Sequence, residues 1–166
     1  RFVDEIKVIG NIWNGPIETE SATNVYRSDG DLEITQDIKY SDGKNYGNLK
    51  EIPKTIIYVK GNILISCKVE RIDAVLIADG DINDCYDSDK INAKENSTQL
   101  KINGSVIADT LTLKRTYGAA TGYNTVTPAE IINYDTSLYP WANGESEIVK
   151  SGTIVTAYQQ ELSPRY

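Results

Sequence analysis

The chain has 166 residues, with 24 acidic against 17 basic side chains, a net charge of -7 and no histidine. Nucleic-acid binding requires a concentrated basic face that replaces phosphate counterions, so this acidic balance excludes DNA and RNA as expected partners. The absence of histidine removes the usual acid or base at neutral pH, and with it Ser/His/Asp and Cys/His catalysis. The apolar stretches are far shorter than the roughly 20 residues that cross a bilayer, so we expect no membrane insertion.

The chain begins at Arg1 and contains no methionine. We therefore expect a processed or truncated piece of a longer precursor, which would have carried any export signal. Its length is typical of one domain. We predict a single domain over residues 1–166, with N-terminal repeats in 1–54, central repeats in 55–114, and an irregular excursion with terminal strands in 115–166.

A short motif recurs along the chain: an apolar run, then Gly, then Asn, Asp or Ser, then another aliphatic residue. The runs are rich in β-branched residues and alternate with polar residues, which predicts strands. Gly tolerates positive φ, and Asn or Asp can hydrogen-bond within its own turn, so each motif predicts a strand, a corner and a second strand. The motif glycines are Gly10, Gly30, Gly61, Gly80 and Gly104, with a weaker copy at Gly152.

These repeats favour an all-β fold, a right-handed parallel β-helix (β-solenoid) with extruded loops. A lone strand cannot bury its apolar face, but coils stacked about 4.8 Å apart pair their backbones and enclose an aliphatic interior. The handedness follows from the strong preference of parallel crossovers. An antiparallel sandwich with Gly-Asn hairpins is the alternative. We prefer the β-helix because the motif never reverses polarity and Gly10–Gly30 and Gly61–Gly80 are spaced by 20 and 19 residues.

Two polar, turn-rich segments, residues 36–53 and 86–99, interrupt the repeat. Such composition is typical of surface loops. We predict that each is a coil with an extruded loop.

The two cysteines occupy nearly equivalent places in successive repeats, since Cys67 lies six residues after Gly61 and Cys85 five residues after Gly80. Stacking would bring their Cα atoms within the ~4.4–6.8 Å range of a disulfide. We predict a Cys67–Cys85 disulfide and an extracellular or cell-surface location. Two free buried thiols in a cytosolic protein are the alternative. Zinc is not expected, because two cysteines without histidine cannot complete four ligands.

The densest carboxylate cluster surrounds Gly80 and gives a weak calcium candidate. Calcium accepts alternating oxygen ligands around a Gly turn. Ile82 stands where an EF-hand loop would need a ligand, so a solvated corner is the simpler interpretation. The candidate ligands are Asp79, Asp81, Asn83 and Asp84.

A catalytic interpretation rests only on analogy with β-helix enzymes that process polysaccharides. Such sites need carboxylates, or a Lys or Arg base, on one exposed groove. The available side chains form no recognisable motif, so we predict no catalytic residue and no cofactor. They are Asp79, Asp81, Lys114 and Arg115.

Residues 115–144 depart from the repeat and are rich in Gly, Ala, Thr and aromatic residues. We predict an ordered excursion that packs over one side or end of the solenoid, because exposed strand edges need a cover. Tyrosine dominates the aromatic residues, with 11 Tyr against 2 Trp and 1 Phe, and it suits interfaces with glycans or proteins. A small core of the excursion itself is the alternative. The interface candidates are Tyr117, Tyr123, Tyr134, Tyr139 and Trp141.

Several stretches resemble a recurrent module of predicted surface proteins in candidate-phyla bacteria such as Saccharibacteria. They are RIDAVLIA at 71–78, LKINGSVIA at 100–108, RTYGAA at 115–120, PAEIINY at 128–134 and LYPW at 138–141. The ending ELSPRY is similar to the module's own C-terminus, and the resemblance covers roughly residues 55–166. It implies an exported C-terminal β-solenoid that has lost an N-terminal part, and a cysteine in each position of the predicted bridge. It implies no catalytic residues.

Together these observations predict a non-enzymatic structural or adhesive protein of the cell surface, used as a spacer, a stalk or a filament subunit. Solenoid ends expose unpaired N–H and C=O groups, so the expected partner is a second copy, joined head to tail or laterally. Another surface protein or a glycan is also an expected partner. The alternatives are a glycan-binding module and a polysaccharide-processing enzyme.

Overall fold

The computed structural model describes residues 6–16, 18–19, 23–40, 54–88, 98–115 and 128–134. In this part of the chain the protein is mostly β-strand in parallel sheets, with almost no helix. The all-β, parallel part of the prediction is therefore confirmed. Every strand pair in these ranges is parallel, which disagrees with the antiparallel alternative. The Gly152 motif lies outside the described residues.

The strands form three larger sheets and one short pair. The first sheet contains β1 (Ile6–Ile9), β3 (Thr23–Ser28), β6 (Lys54–Val59), β9 (Val75–Ala78) and β12 (Val106–Ile107). The second contains β4 (Leu32–Ile34), β7 (Ile63–Ile65), β10 (Ile82–Asp84) and β13 (Leu111–Thr112). The third contains β8 (Arg71–Ile72), β11 (Leu100–Asn103) and β14 (Glu130–Asn133), and the short pair joins β2 (Glu18–Thr19) to β5 (Lys39–Tyr40).

Each strand pairs with the equivalent strand of the next repeat, so equivalent residues stack in columns. In the second sheet Leu32, Ile63 and Ile82 are successive partners. In the third sheet Ile72 pairs with Ile102. All of these side chains are buried. The alternation of apolar and polar residues along each short strand thus becomes an aliphatic interior.

A tryptophan fills the interior near the N-terminal end of the described stack. Trp13 is buried and meets the ring of Tyr26 edge-on, with ring centroids 4.9 Å apart. Gly15 lies directly against the indole, so that any added Cβ would overlap the ring. At the other end of the described residues, the last members of the apolar columns are more exposed. Leu111, which pairs with Ile82, is 38% exposed, and Ile132, which pairs with Ile102, is 42% exposed.

The corner between the first and second sheets is held by a ladder of Asx side chains. The Asp31 Oδ1 atom accepts the backbone N–H of Asn62 at 2.7 Å, and the Asn62 Oδ1 atom accepts the backbone N–H of Asp81 at 2.8 Å. These contacts span 31 and 19 residues. The Asx oxygen therefore bonds to the next repeat rather than within its own turn, and it satisfies a backbone donor there.

The motif at Gly104 forms a different corner from the motifs at Gly30, Gly61 and Gly80. Gly104 follows β11 of the third sheet and precedes β12 of the first, where its N–H donates to the Asn133 carbonyl at 2.8 Å. The position equivalent to Gly80 is held by Asp109 and Thr110, which bond to Gly80 and Ile82. A Gly-polar dipeptide can bend any corner of the chain, so the local motif does not identify which corner it forms.

The glycine requirement at this corner can be tested with a matched pair. A Cβ on Gly61 would approach the backbone nitrogen of Asp31 to 2.8 Å, whereas one on Gly10 meets nothing within 4 Å. We expect Gly61→Ala to lower the free energy of unfolding by about 1–3 kcal/mol, the usual effect of overpacking. Gly10→Ala should change it by less than about 0.5 kcal/mol. Urea unfolding of both variants measures this, and equal effects would contradict the close packing of the corner.

Candidate functional site

A buried ion pair interrupts the aliphatic interior. Asp84, the last residue of β10, lies in register with Ile65 and so occupies an inward position that is aliphatic in the preceding repeat. Its partner is Arg115, which follows β13, and the two side chains are 1% and 0% exposed. Burying both charges is costly unless their hydrogen bonds are satisfied.

The Arg115 guanidinium joins three separate parts of the chain. Its Nε–H donates to both Asp84 oxygens, at 3.0 and 2.9 Å. Its Nη1 group donates to the Cys67 carbonyl at 2.9 Å and to Thr98 Oγ1 at 3.0 Å, and its Nη2 group to the Ser66 carbonyl at 3.1 Å. We call these residues, with Glu130, the Arg115 cluster.

Glu130, the first residue of β14, adds a second carboxyl group to the cluster. Its Oε1 atom accepts the backbone N–H of Arg115 at 3.0 Å. Burial raises the pKa of Asp84, an effect that Arg115 opposes. Burial also raises the pKa of Glu130, and the neighbouring Asp84 raises it further.

The predicted cysteine pair borders this cluster. The structure joins Cys67 to Cys85 in a disulfide, with Cα atoms 4.1 Å apart. Cys85 follows β10 directly and adopts the left-handed conformation, with φ of 52°. Asp87 stabilises the turn at the other cysteine. Its two oxygens accept the Cys67 N–H at 2.8 Å and the Ser66 hydroxyl at 2.7 Å.

The turn around the disulfide brings together three residues of types that can bind a metal ion. Donor atoms of Cys67, Cys85 and Asp87 lie within 4.8 Å of one another. A metal binds thiolates, whereas these sulfur atoms are joined to each other, and Asp87 already accepts two hydrogen bonds. The close approach of these three residues is therefore explained by the disulfide and by the hydrogen bonds of Asp87.

The residues of the calcium candidate point in different directions. Asp79 is exposed and accepts the hydroxyl of Tyr58 at 2.7 Å. Asp81 lies at the Asx corner. Asn83 and Asp84 are consecutive on a strand and so face opposite sides, and both Asp84 oxygens bond to Arg115.

The residues weighed for catalysis separate in the same way. Lys114 is exposed while the next residue, Arg115, turns inward and is buried. Asp79 and Asp81 lie in the corner between β9 and β10, before the strand that ends at Asp84. The structure does not bring these four side chains into one groove.

Among the aromatic candidates, the structure describes Tyr134, whose exposure is 66%. The other members of that set lie outside the described residues: Tyr117, Tyr123, Tyr139 and Trp141. The predicted excursion over residues 115–144 is described only at its start and over 128–134.

A second polar ladder, unnoticed in the sequence, follows the third sheet. The Asn103 amide donates to Asp73 at 2.6 Å, and the Asn133 amide donates to Asn103 at 2.9 Å. Arg71 forms an ion pair with the buried Asp73 at 2.8 Å. The available signal was the repeated Ile-Asx pair at Ile72-Asp73, Ile102-Asn103 and Ile132-Asn133.

No family model, curated protein or solved structure matches this chain. Within the described residues, no helix has the length and apolar character to span a membrane.

Proposed function

We propose that this chain is a right-handed parallel β-helix that serves as a non-enzymatic structural or adhesive module outside the cell. Support for the β-helix comes from the column pairing, in which strands of three sheets each meet the equivalent strand of the next repeat. Two Asx ladders run along these columns. A stack of this kind is stiff along its axis, because backbone and side-chain bonds join every successive repeat.

The use of polar groups supports a structural role. The donors of Arg115 are engaged by Asp84, Thr98 and backbone carbonyls, and those of Asn103 by Asp73. Polar groups saturated in this manner hold the chain together and are poorly placed to act on a substrate. The disulfide supports an oxidising, extracellular compartment, where such bonds persist.

The proposed mode of use is supported by the two outer strands of the first sheet. In the described part of the chain, β1 and β12 are the two outer strands of the first sheet. Val8 on β1 and Ile107 on β12 occupy the same outward column, and they are 70% and 51% exposed. A second copy could add its β1 to β12 and continue the column with apolar contact. Such head-to-tail contact does not close and produces a filament or stalk.

Particle size measured against concentration tests this proposal. The native, non-reduced protein should form rods that lengthen with concentration, seen by negative-stain electron microscopy and light scattering. Val8→Lys and Ile107→Lys place a charge in the contact, so each should keep the protein in short particles. Glu70→Lys, at an exposed turn position, is the matched control and should leave assembly unchanged.

Two outcomes would overturn the assembly. One is a wild-type protein that stays monomeric at every concentration. The other is assembly that persists unchanged in both edge variants. Monomers that bind specific sugars on a glycan array would favour the glycan-binding alternative instead.

A further inference from the structure

We propose that Asn103-Gly104 is a deamidation site that strand β14 keeps closed, and that reaction at this site weakens the attachment of β14 irreversibly. Asn-Gly is the dipeptide in which the backbone nitrogen most readily attacks the preceding side chain, because glycine has no Cβ to hinder the approach. The proposal concerns a modification site on the third sheet and is independent of head-to-tail assembly.

The reaction has two steps. The backbone nitrogen of Gly104 attacks the Cγ atom of Asn103, so that a new C–N bond forms, the bond from Cγ to Nδ2 breaks, and ammonia leaves with the proton of the attacking nitrogen. Water then opens the resulting succinimide ring at one of its two carbonyl carbons. The products are aspartate and isoaspartate, and water is the only co-reactant.

In the folded protein both reacting groups are engaged in hydrogen bonds. The Gly104 N–H, which contains the attacking nitrogen, donates to the Asn133 carbonyl at 2.8 Å. The Asn103 amide oxygen accepts the Asn133 amide at 2.9 Å, and the Asn103 Nδ2 group donates to Asp73 at 2.6 Å. Asn133, the last residue of β14, therefore restrains both the attacking nitrogen and the amide that it would attack.

The backbone conformation also opposes the reaction. Asn103 is the last residue of β11, and strand residues have ψ of roughly +115 to +135°, which points the following nitrogen away from the side chain. Ring closure therefore requires this end of β11 to leave the strand conformation and to separate from β14. In the described residues β14 is an outer strand, and outer strands open more readily than central ones.

The surroundings of Asn103 make both products disruptive. Asp73 is 1% exposed and forms an ion pair with Arg71 at 2.8 Å. A carboxylate at position 103 would replace the donor that now lies 2.6 Å from Asp73, and like charges in contact repel each other. Its displacement would remove the oxygen that Asn133 bonds. Isoaspartate instead lengthens the backbone beside the bond from Gly104 to Asn133, which disturbs the register of β11 and β14.

A second Asn-Gly pair, Asn14-Gly15, provides a reference within the same chain. Asn14 is exposed and lies outside the strands. Trypsin releases the peptide 102–114, in which Asn103 is the only asparagine. Mass spectrometry can therefore follow conversion at Asn103 separately from conversion at Asn14.

The rates of conversion in the native, non-reduced protein at mildly alkaline pH test the protection by β14. In the folded wild type, Asn103 should convert more slowly than Asn14 by at least about tenfold, because only the fraction with β14 open can react. In urea, which unfolds the strand, the two sites should convert at similar rates. Asn133→Ala should speed conversion at Asn103 by roughly two- to tenfold, the effect of one hydrogen bond on opening. Asn83→Ala, on the second sheet, is the matched control and should leave the rate unchanged.

The effect of the modification is tested by hydrogen exchange in two variants of equal charge. Asn103→Asp reproduces the aspartate product and should lower the protection of the β14 amides by about tenfold or more, because a bond to a charged group is lost. The protection of β6 should not change. Asn83→Asp adds the same charge to the second sheet and should leave β14 protected.

The proposed protection is overturned if Asn103 converts as fast in the folded protein as in urea, or if Asn133→Ala leaves the rate at Asn103 unchanged. The proposed effect on β14 is overturned if Asn103→Asp and Asn83→Asp give the same β14 protection.

Discussion

Replacing Arg115 by Met is expected to lower the free energy of unfolding by about 3–5 kcal/mol, the usual cost of breaking a buried ion pair from one side. Asp84 would remain 1% exposed without its cation. The Ser66 and Cys67 carbonyls would also lose the donors that now reach them at 3.1 and 2.9 Å. Urea unfolding under non-reducing conditions measures the change.

A double variant separates the charge from the packing. Asp84 lies in register with Ile65, so Leu at this position continues an aliphatic column. Asp84→Leu combined with Arg115→Met should therefore recover most of the lost stability, since apolar replacements of buried ion pairs are often neutral or better. Lys114→Met is the exposed control. A loss for Arg115→Met no larger than that control would contradict a structural role for the cluster.

Removing the disulfide is expected to have the second large effect. The bridge joins residues 18 apart, and the chain-entropy model gives about 3 kcal/mol for a loop of this size. The Cys67→Ala/Cys85→Ala variant should lose that amount, and thermal unfolding with a reductant should give a similar loss in the wild type. A melting temperature that ignores reductant would contradict this prediction.

The left-handed backbone at Cys85 refines the same experiment. Its φ of 52° is strained for a residue with a Cβ but not for glycine. Cys67→Ala/Cys85→Gly should therefore be more stable than the double alanine variant by roughly 1 kcal/mol. Both variants should be insensitive to reductant, and equal stabilities would show that the turn relaxes once the bridge is gone.

Features that depend on local pattern could be predicted from the sequence. The strands around Ile57 and Ile63 follow from alternating β-branched residues, and the glycines at 61 and 80 mark the corner between them. The repeat spacing further indicates parallel pairing, because equivalent strands meet only when the chain returns with the same polarity. The coarse fold class was therefore accessible.

Features that depend on long-range pairing could not be predicted from the sequence. Arg115 reaches Asp84 across 31 residues and Ser66 across 49, and no local motif marks those partners. The local sequence places Asp84 in the acidic cluster around Gly80, because its neighbours Asp79 and Asp81 are also carboxylates. The informative signal was its position two residues after Ile82, where the equivalents of the earlier repeats are Ile34 and Ile65. The register of a strand decides whether a side chain faces inward or outward, and it can be read from the sequence only when the repeats are aligned.

The Asx corner has a further consequence for how this protein tolerates change in length. The Asx corner, between the first and second sheets, has the same length in three successive repeats. It runs from Ser28 to Leu32, from Val59 to Ile63 and from Ala78 to Ile82. The corner that leads into the first sheet varies, since β8 is followed almost at once by β9 whereas β5 and β6 are separated by residues 41–53. The corner between the second and third sheets also varies, since residues 66–70 separate β7 from β8 whereas residues 85–99 separate β10 from β11. Extra chain is thus accommodated without disturbing the columns. Foreign peptides could be grafted at the variable corners for display, whereas an insertion at the Asx corner would break the ladder.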